Sequence, residues 1–121
     1  MTETTNSKKY DLEERTEKFA LEVRKFVKSL YQNLANVEDG RQLIRSSGSV
    51  GANYIEANDS LSKKDFVMRV KICRKEAKES RFWLRLIDAD HNSECNKHRD
   101  ILVQEATELM NIFGAIVRKS E

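Results

Sequence analysis

The sequence predicts an all-α protein, an antiparallel up-down four-helix bundle, and three observations carry that prediction. Proline is absent from the 121 residues, so the strongest helix breaker is missing. Apolar residues recur at steps of three and four along four separate segments. The connections between those segments are short, which sets consecutive helices side by side and antiparallel. No alternating pattern of strand type competes for any of them. A chain of this length is expected to form one domain with a single core. That domain is placed at residues 10–119, behind a polar tail at 1–9 expected to be disordered.

The first helix is expected over about residues 11–32. Asp11 is its N-cap, Glu13 and Glu14 lie in its first turn, and Leu12, Phe19, Val23, Phe26, Val27 and Leu30 form one stripe. QNLAN is the turn. Asn36 is expected to cap the second helix, over about 37–59, with Glu38 and Asp39 in the first turn at the positive end of the dipole. Its inner face is read as Gly40, Leu43, Ile44, Ser47, Gly51, Tyr54, Ile55 and Asn58. Ser62 followed by Asp65 is a weaker capping box and opens the third helix, over about 63–89. There Phe66, Val70, Cys73, Ala77, Ser80, Leu84 and Ile87 alternate steps of four and three without a slip. DADHNS interrupts the pattern. Asn92 or Ser93 then caps the fourth helix, over about 93–118, where Leu102, Ala106, Leu109, Ile112, Phe113 and Ile116 repeat it.

Within the second helix, RSSGSVGANYIEAND stands apart by its glycines. A glycine costs about 1 kcal/mol relative to alanine in a helix interior, so close approach of another helix is expected to offset Gly48 and Gly51. Ser49, Asn53 and Glu56 follow one another at steps of four and three and are candidates to bond across that seam and fix its register.

The third helix carries more than a core stripe. On a wheel of ~100° per residue, Met68, Ile72, Trp83 and Leu86 form a second apolar arc beside the heptad positions. A deeply buried helix or a scatter of ordinary surface hydrophobes is one reading. The other is an oligomer interface anchored by Trp83, because large apolar patches mark association sites. The remaining arc holds Lys63, Lys64, Lys71, Arg74, Lys75, Lys78, Arg81 and Arg85 with Phe82 among them, and no acid falls inside it. Eight like charges on one ridge repel one another. Either the ridge is a solvated face relieved by acids of the first helix, such as Glu13, Glu17 and Glu22, or it tracks phosphates, with Phe82 as a base-stacking surface.

Catalytic chemistry finds little support. The two histidines cluster near one loop, so no nucleophile–base pair can be assembled from them. The bundle di-iron pattern needs two Glu-x-x-His motifs, and none occurs. His91, Cys95 and His98 have i, i+4, i+7 spacing but straddle a helix start without an obvious fourth ligand, so they read as a polar corner and no metal site is assigned. Glu76 and Glu79 read as ordinary helical ion pairs with Lys75 and Lys78. Gly48-Ser49-Val50-Gly51 shares letters with the GXXG loop of KH domains, but that fold needs strands. No cofactor is expected, and the chain is expected not to be an enzyme. The net charge of +2 commits the whole molecule to no polyanion. Two cysteines make no disulfide framework, and no apolar run approaches the ~20 residues of a membrane span, so a reduced, cytoplasmic protein is expected.

The runs YDLEERTEKFA, NLAN, GRQLIRSSGSVGANYIEAND and SKKDFVMRVKICRKEAKESRFWLRLI resemble the bacterial four-helix bundle proteins first noticed in intervening sequences of 23S ribosomal RNA genes. The likeness covers about residues 10–88 and rests on the spacing R-S-x-x-S-V-x-x-N-x-x-E-A and the later E-A-K-E; the fourth helix matches in period only. The resemblance implies an antiparallel bundle that assembles as a ring-shaped homopentamer. It also implies kinship with the accessory variability proteins of diversity-generating retroelements, basic pentamers that bind nucleic acid and a reverse transcriptase. The expected partners are therefore other copies of this chain, RNA or DNA, and a reverse transcriptase or other co-encoded protein. The alternative is a protein–protein scaffold without nucleic-acid binding of its own.

Overall fold

In a computed structural model the backbone is described for residues 3–121 and the side chains from Leu12 onward. Four helices follow one another: α1 (Glu3–Lys28), α2 (Leu34–Asn58), α3 (Lys63–Leu86) and α4 (Ser93–Ser120). Each packs on its neighbours in a closed square, α1 on α2 and α4, α3 on α2 and α4. Contacts between elements run in opposite directions along each seam. Asn58 meets Glu13 while Gly51 meets Thr16, and Arg15 meets Glu105 while Glu22 meets His98. The sequence-predicted up-down bundle is the fold found. Its core is a column of Phe19, Val23, Phe26, Leu43, Val50, Val70, Leu84, Leu109 and Phe113, all fully enclosed or nearly so. Fully burying a side chain of that size stabilises by about 1.5–3 kcal/mol.

The helix ends differ from expectation for identifiable reasons. The helix α1 begins at Glu3, upstream of the predicted start, while the Asp11 cap and the tail at 1–9 involve side chains outside the described residues. It closes earlier than predicted, at Lys28, where Ser29 N–H donates to Phe26 O at 3.1 Å and Leu30 N–H to Val27 O at 3.2 Å, tightening the last turn. Asn36 is not the cap of α2. Asn33 is, its side chain accepting from Asn36 N at 2.7 Å, and Glu38 and Asp39 consequently fall beyond the first turn. Asn36 is instead 3% exposed, inside the bundle end. Ser62 caps α3, accepting from Asp65 N–H at 3.1 Å, and Asn92 caps α4, accepting from Cys95 N–H at 3.0 Å. Between them α3 stops at Leu86, short of the predicted 89, because the Asp88 backbone pairs with Asn36. Asp90 and His91 take left-handed φ of 52° and 60°, and the Asp88 carboxylate accepts from Asp90 N–H at 2.9 Å to hold the corner.

The predicted stripes of α1, α3 and α4 face inward, with Leu12, Val27, Phe66, Ile112 and Ile116 half-buried at the margins. The stripe of α2 is in a different phase. Asn36, Gly40, Leu43, Ser47, Val50, Tyr54 and Ala57 are buried, an unbroken alternation of four and three, whereas Ile55 is 50% exposed and Ile44, Gly51 and Asn58 are half-buried. Val50 and Ala57 take the seam because only they keep the heptad that pairs α2 with α3 on one side and α1 on the other.

Candidate nucleic-acid interface

The α3 ridge lies along the α3–α4 seam, away from α1. Since α1 packs on α2 and α4 but not on α3, the acids of the first helix sit on the far side of the bundle. Glu13 accepts from Asn58 Nδ2 at 2.8 Å, Glu22 pairs with Lys25 at 3.2 Å and His98 at 3.5 Å, and Glu17 points to solvent. Repulsion on the ridge is therefore not relieved by these residues. The partners that do reach it are nearer. Lys71 Nζ lies 3.1 Å from a Glu121 carboxylate oxygen, Lys75 Nζ lies 3.8 Å from Glu76, and Arg81 donates to the neutral Thr107 hydroxyl at 3.3 Å.

The ridge divides into three stretches. Lys63 and Lys64 are exposed in the first turn, beside Asp65 and Glu121, where the positive end of the helix dipole adds to their repulsion. In the middle, Lys71, Arg74, Lys75 and Lys78 form one wall of a groove of about 480 Å³ whose other wall is Met110, Asn111, Gly114 and Arg118 of α4. This lining holds five cations and no carboxylate. At the far end Arg85 is exposed in the last turn, and Phe82, 54% exposed, meets Trp83 edge-to-face with centroids 5.1 Å apart. Arg118, Gly114 and Asn111 are the members that reading helix by helix misses. A glycine in mid-helix followed four residues later by arginine, with no acid between Met110 and Arg118, is the signal that marks them.

The second apolar arc is open on the bundle surface. Met68 and Leu86 are half exposed, Ile72 and Trp83 are half-buried, and the enclosed Trp83 indole N–H has no hydrogen-bond partner among the described residues. On the same flank Glu76 is buried at 7% exposure; among the described residues its Oε1 has no hydrogen-bond partner and its Oε2 faces Lys75. Glu79 pairs with Arg45 of α2 at 3.7 Å. Glu76 thus keeps the intrahelical contact with Lys75 expected from spacing, though in a buried setting, whereas Glu79 pairs across to α2 instead. The turn below, Ser80 donates to the Glu76 carbonyl at 2.9 Å while its hydroxyl pairs with that of Ser46 at 2.8 Å, a buried polar link between α2 and α3.

At the small-residue stretch, a Cβ added to Gly51 would lie 2.9 Å from Thr16 Oγ1 and 3.3 Å from Thr16 Cβ, so α1 and α2 approach there at backbone distance. Gly48 meets only the end of the Arg24 side chain, at 3.7 Å. Asn53 donates to the Ser49 carbonyl at 2.9 Å and accepts from Arg69 at 3.0 Å, tying α2 to α3. Ser49 itself is half-buried, and Glu56 is exposed, its carbonyl accepting from Ser60. His98 packs edge-on against Phe26 at 5.3 Å and towards Glu22, Cys95 is half-buried, and His91 is exposed on the corner. Among the described residues no three His, Cys, Asp or Glu side chains gather as a metal site, and no helix is long and apolar enough to cross a membrane.

No curated protein matches the chain. A crystal structure of a protein of unknown function from the S23 ribosomal protein family of Bacteroides thetaiotaomicron VPI-5482 is similar throughout. The TM-score is 0.74 with 26% identity, over 92% of this chain and 98% of that one. The family model described as "23S rRNA-intervening sequence protein" matches residues 8–115. That span includes most of α4, which sequence inspection alone matched in period only. The bundle, its capped ends and this match agree: the chain belongs to the 23S rRNA-intervening sequence protein family.

Proposed function

We propose that the protein is a non-enzymatic, homo-oligomeric binding protein whose α3 ridge contacts RNA or DNA. The observation that supports this reading is the α3–α4 groove, lined by five cations and no carboxylate. Lys71 and Lys75 each have a carboxylate within reach, but Arg74, Lys78 and Arg118 have none among the described residues. Positive charge left unpaired in this way favours a polyanion, and phosphate contacts supply affinity rather than sequence preference. Exposed Phe82 at the end of the ridge offers a ring on which an unpaired base can stack. Electrophoretic mobility shift with single-stranded and duplex RNA and DNA at several salt concentrations is the test. Affinity should fall steeply with salt, and combined replacement of Lys71, Arg74, Lys78 and Arg85 by glutamate should abolish it. Affinity that is flat in salt would refute the reading.

A second reading is favoured by the open apolar flank of α3, with a Trp83 indole N–H that has no partner among the described residues. In this reading the protein is a scaffold or accessory subunit for a co-encoded protein, a reverse transcriptase among the candidates, and does not bind nucleic acid itself. Tight association with such a protein, and none with any nucleic acid, would select it.

A further inference from the structure

We infer that the α3–α4 groove contains a discrete seat for one phosphoryl group, held between Arg74 of α3 and Arg118 of α4 above Gly114. The geometry converges on a single point. Measured from where a Cβ on Gly114 would begin, Arg118 Nη1 is 3.4 Å away and Arg74 Nη1 is 3.8 Å away, with the Arg74 Cδ at 3.7 Å. Gly114 is buried, so the space above it exists because α4 presents no side chain there. Two guanidinium groups drawn to one place repel each other, and among the described residues neither has an ion-pair partner. A tetrahedral anion between them would turn that repulsion into two charge-assisted forks, the geometry for which guanidinium is better suited than ammonium. Lys78 extends the positive wall from α3, and Asn111 adds an amide from α4. The charge pattern of α4 supports the assignment: Glu105 and Glu108 turn to α1, where Arg15 engages both, and no acid stands among the α4 residues that line the groove.

The inference deepens the nucleic-acid reading and rests on it only for the source of the phosphoryl group, a phosphodiester of a bound strand. A free phosphate compound would present the same chemistry. The test uses the full chain in two arms. In the first, affinity for a labelled single-stranded RNA is measured for wild type, Arg118→Gln and Lys119→Gln. The last removes the same charge from an exposed neighbour that does not line the groove. Arg118→Gln should weaken binding about tenfold and lower the salt slope by about 0.7, as loss of one phosphate contact on a single strand requires, whereas Lys119→Gln should change little. In the second arm, thermal denaturation is compared in phosphate and in chloride at equal ionic strength. Phosphate raises stability a little in every variant by its general exclusion from protein surfaces, but the additional rise of wild type and of Lys119→Gln should be missing in Arg118→Gln. If RNA binds and both variants weaken equally, the seat is refuted and the ridge reading stands. If RNA does not bind but the phosphate-specific Tm rise is lost in Arg118→Gln, the seat stands for free phosphate compounds and the nucleic-acid reading falls. Absence of both effects overturns both.

Discussion

The side-chain amide of Asn36 is paired face to face with the backbone of Asp88. Its Oδ1 accepts from Asp88 N–H at 2.9 Å, and its Nδ2 donates to Asp88 O at 2.9 Å and to Tyr31 O at 3.0 Å. One buried residue thus links the α1–α2 turn to the α3–α4 connection, 52 positions away in sequence. Asn36→Ala leaves three backbone groups without this partner. Net values near 1 kcal/mol per hydrogen bond, with an added cost for buried orphans, give an expected loss of about 3 kcal/mol. Chemical denaturation should show it. Asn36→Asp keeps the acceptor for Asp88 N–H but sets a carboxylate against two carbonyls, so it should also destabilise, and less so at acidic pH.

Gly51 of α2 and Gly114 of α4, both inside their helices, should respond oppositely to alanine. At Gly51 the new methyl would press on Thr16, whose hydroxyl is already bonded to Leu12 O at 2.8 Å and whose β-branched side chain has little freedom to turn. Overpacking of this kind costs about 1–3 kcal/mol, more than the roughly 1 kcal/mol gained in helix propensity, so Gly51→Ala should lower the Tm. Adding Thr16→Ala should recover part of the loss, a non-additivity that a double-mutant cycle measures. At Gly114 the nearest atoms lie at ordinary contact distance, so Gly114→Ala should leave stability unchanged or raise it by up to about 1 kcal/mol.

Burial pushes the Cys73 thiol up to about 12 and holds it neutral in the folded protein. A thiol raised above its ordinary value stabilises the fold fully at pH values below about 8.5, where the unfolded chain also keeps it protonated. That contribution is lost as pH rises through the alkaline range towards 12. Stability should therefore decline on the alkaline side, and Cys73→Ala, though less stable at neutral pH, should decline less steeply. In the native state a thiol reagent should modify half-buried Cys95 quickly and Cys73 only at the rate of unfolding.

Static light scattering should give a multi-subunit mass. Trp83→Ala, which removes the largest side chain of the open α3 flank, should shift the mass towards monomer while helical content is retained. Glu76 lies on the same flank with an oxygen that has no partner among the described residues, so Glu76→Gln should perturb assembly if a neighbouring copy supplies a donor to that oxygen. A wild-type monomer would remove the basis for the interface.

The third helix is almost wholly legible in the sequence, because its stripe never slips and Ser62 with Asp65 marks its start. The second is not. Gly51 and Ile55 compete with Val50 and Ala57 for the inner face; the buried heptad takes Val50 and Ala57, and Gly51 instead lies where α1 approaches at Thr16. Asn33 and Asn36 are equally good caps by residue type, and a partner 52 positions away assigns them different tasks. The basic ridge is legible as one face of one helix, but its groove is shared by two helices. The core pattern of Leu102, Ala106, Leu109 and Phe113 sets the rotation of α4 and hence that Gly114 and Arg118 lie on one flank. Which neighbouring helix that flank meets depends on the handedness of the bundle, which periodicity does not encode.

The seams of the square are unequal. Those joining α3 to α2 and to α4 are extensive, while α1 and α4 touch thinly, across a cleft of about 880 Å³ spanned by the forked grip of Arg15 on Glu105, at 2.7 and 2.9 Å, and its contact with Glu108 at 2.6 Å. The energetic consequence is a hierarchy of openings. Partial unfolding should begin with α1 swinging out about the α1–α2 turn, leaving α2, α3 and α4 as the last cooperative unit to melt. In that excursion the groove of cations keeps its shape, since both of its walls belong to the persistent three-helix remnant.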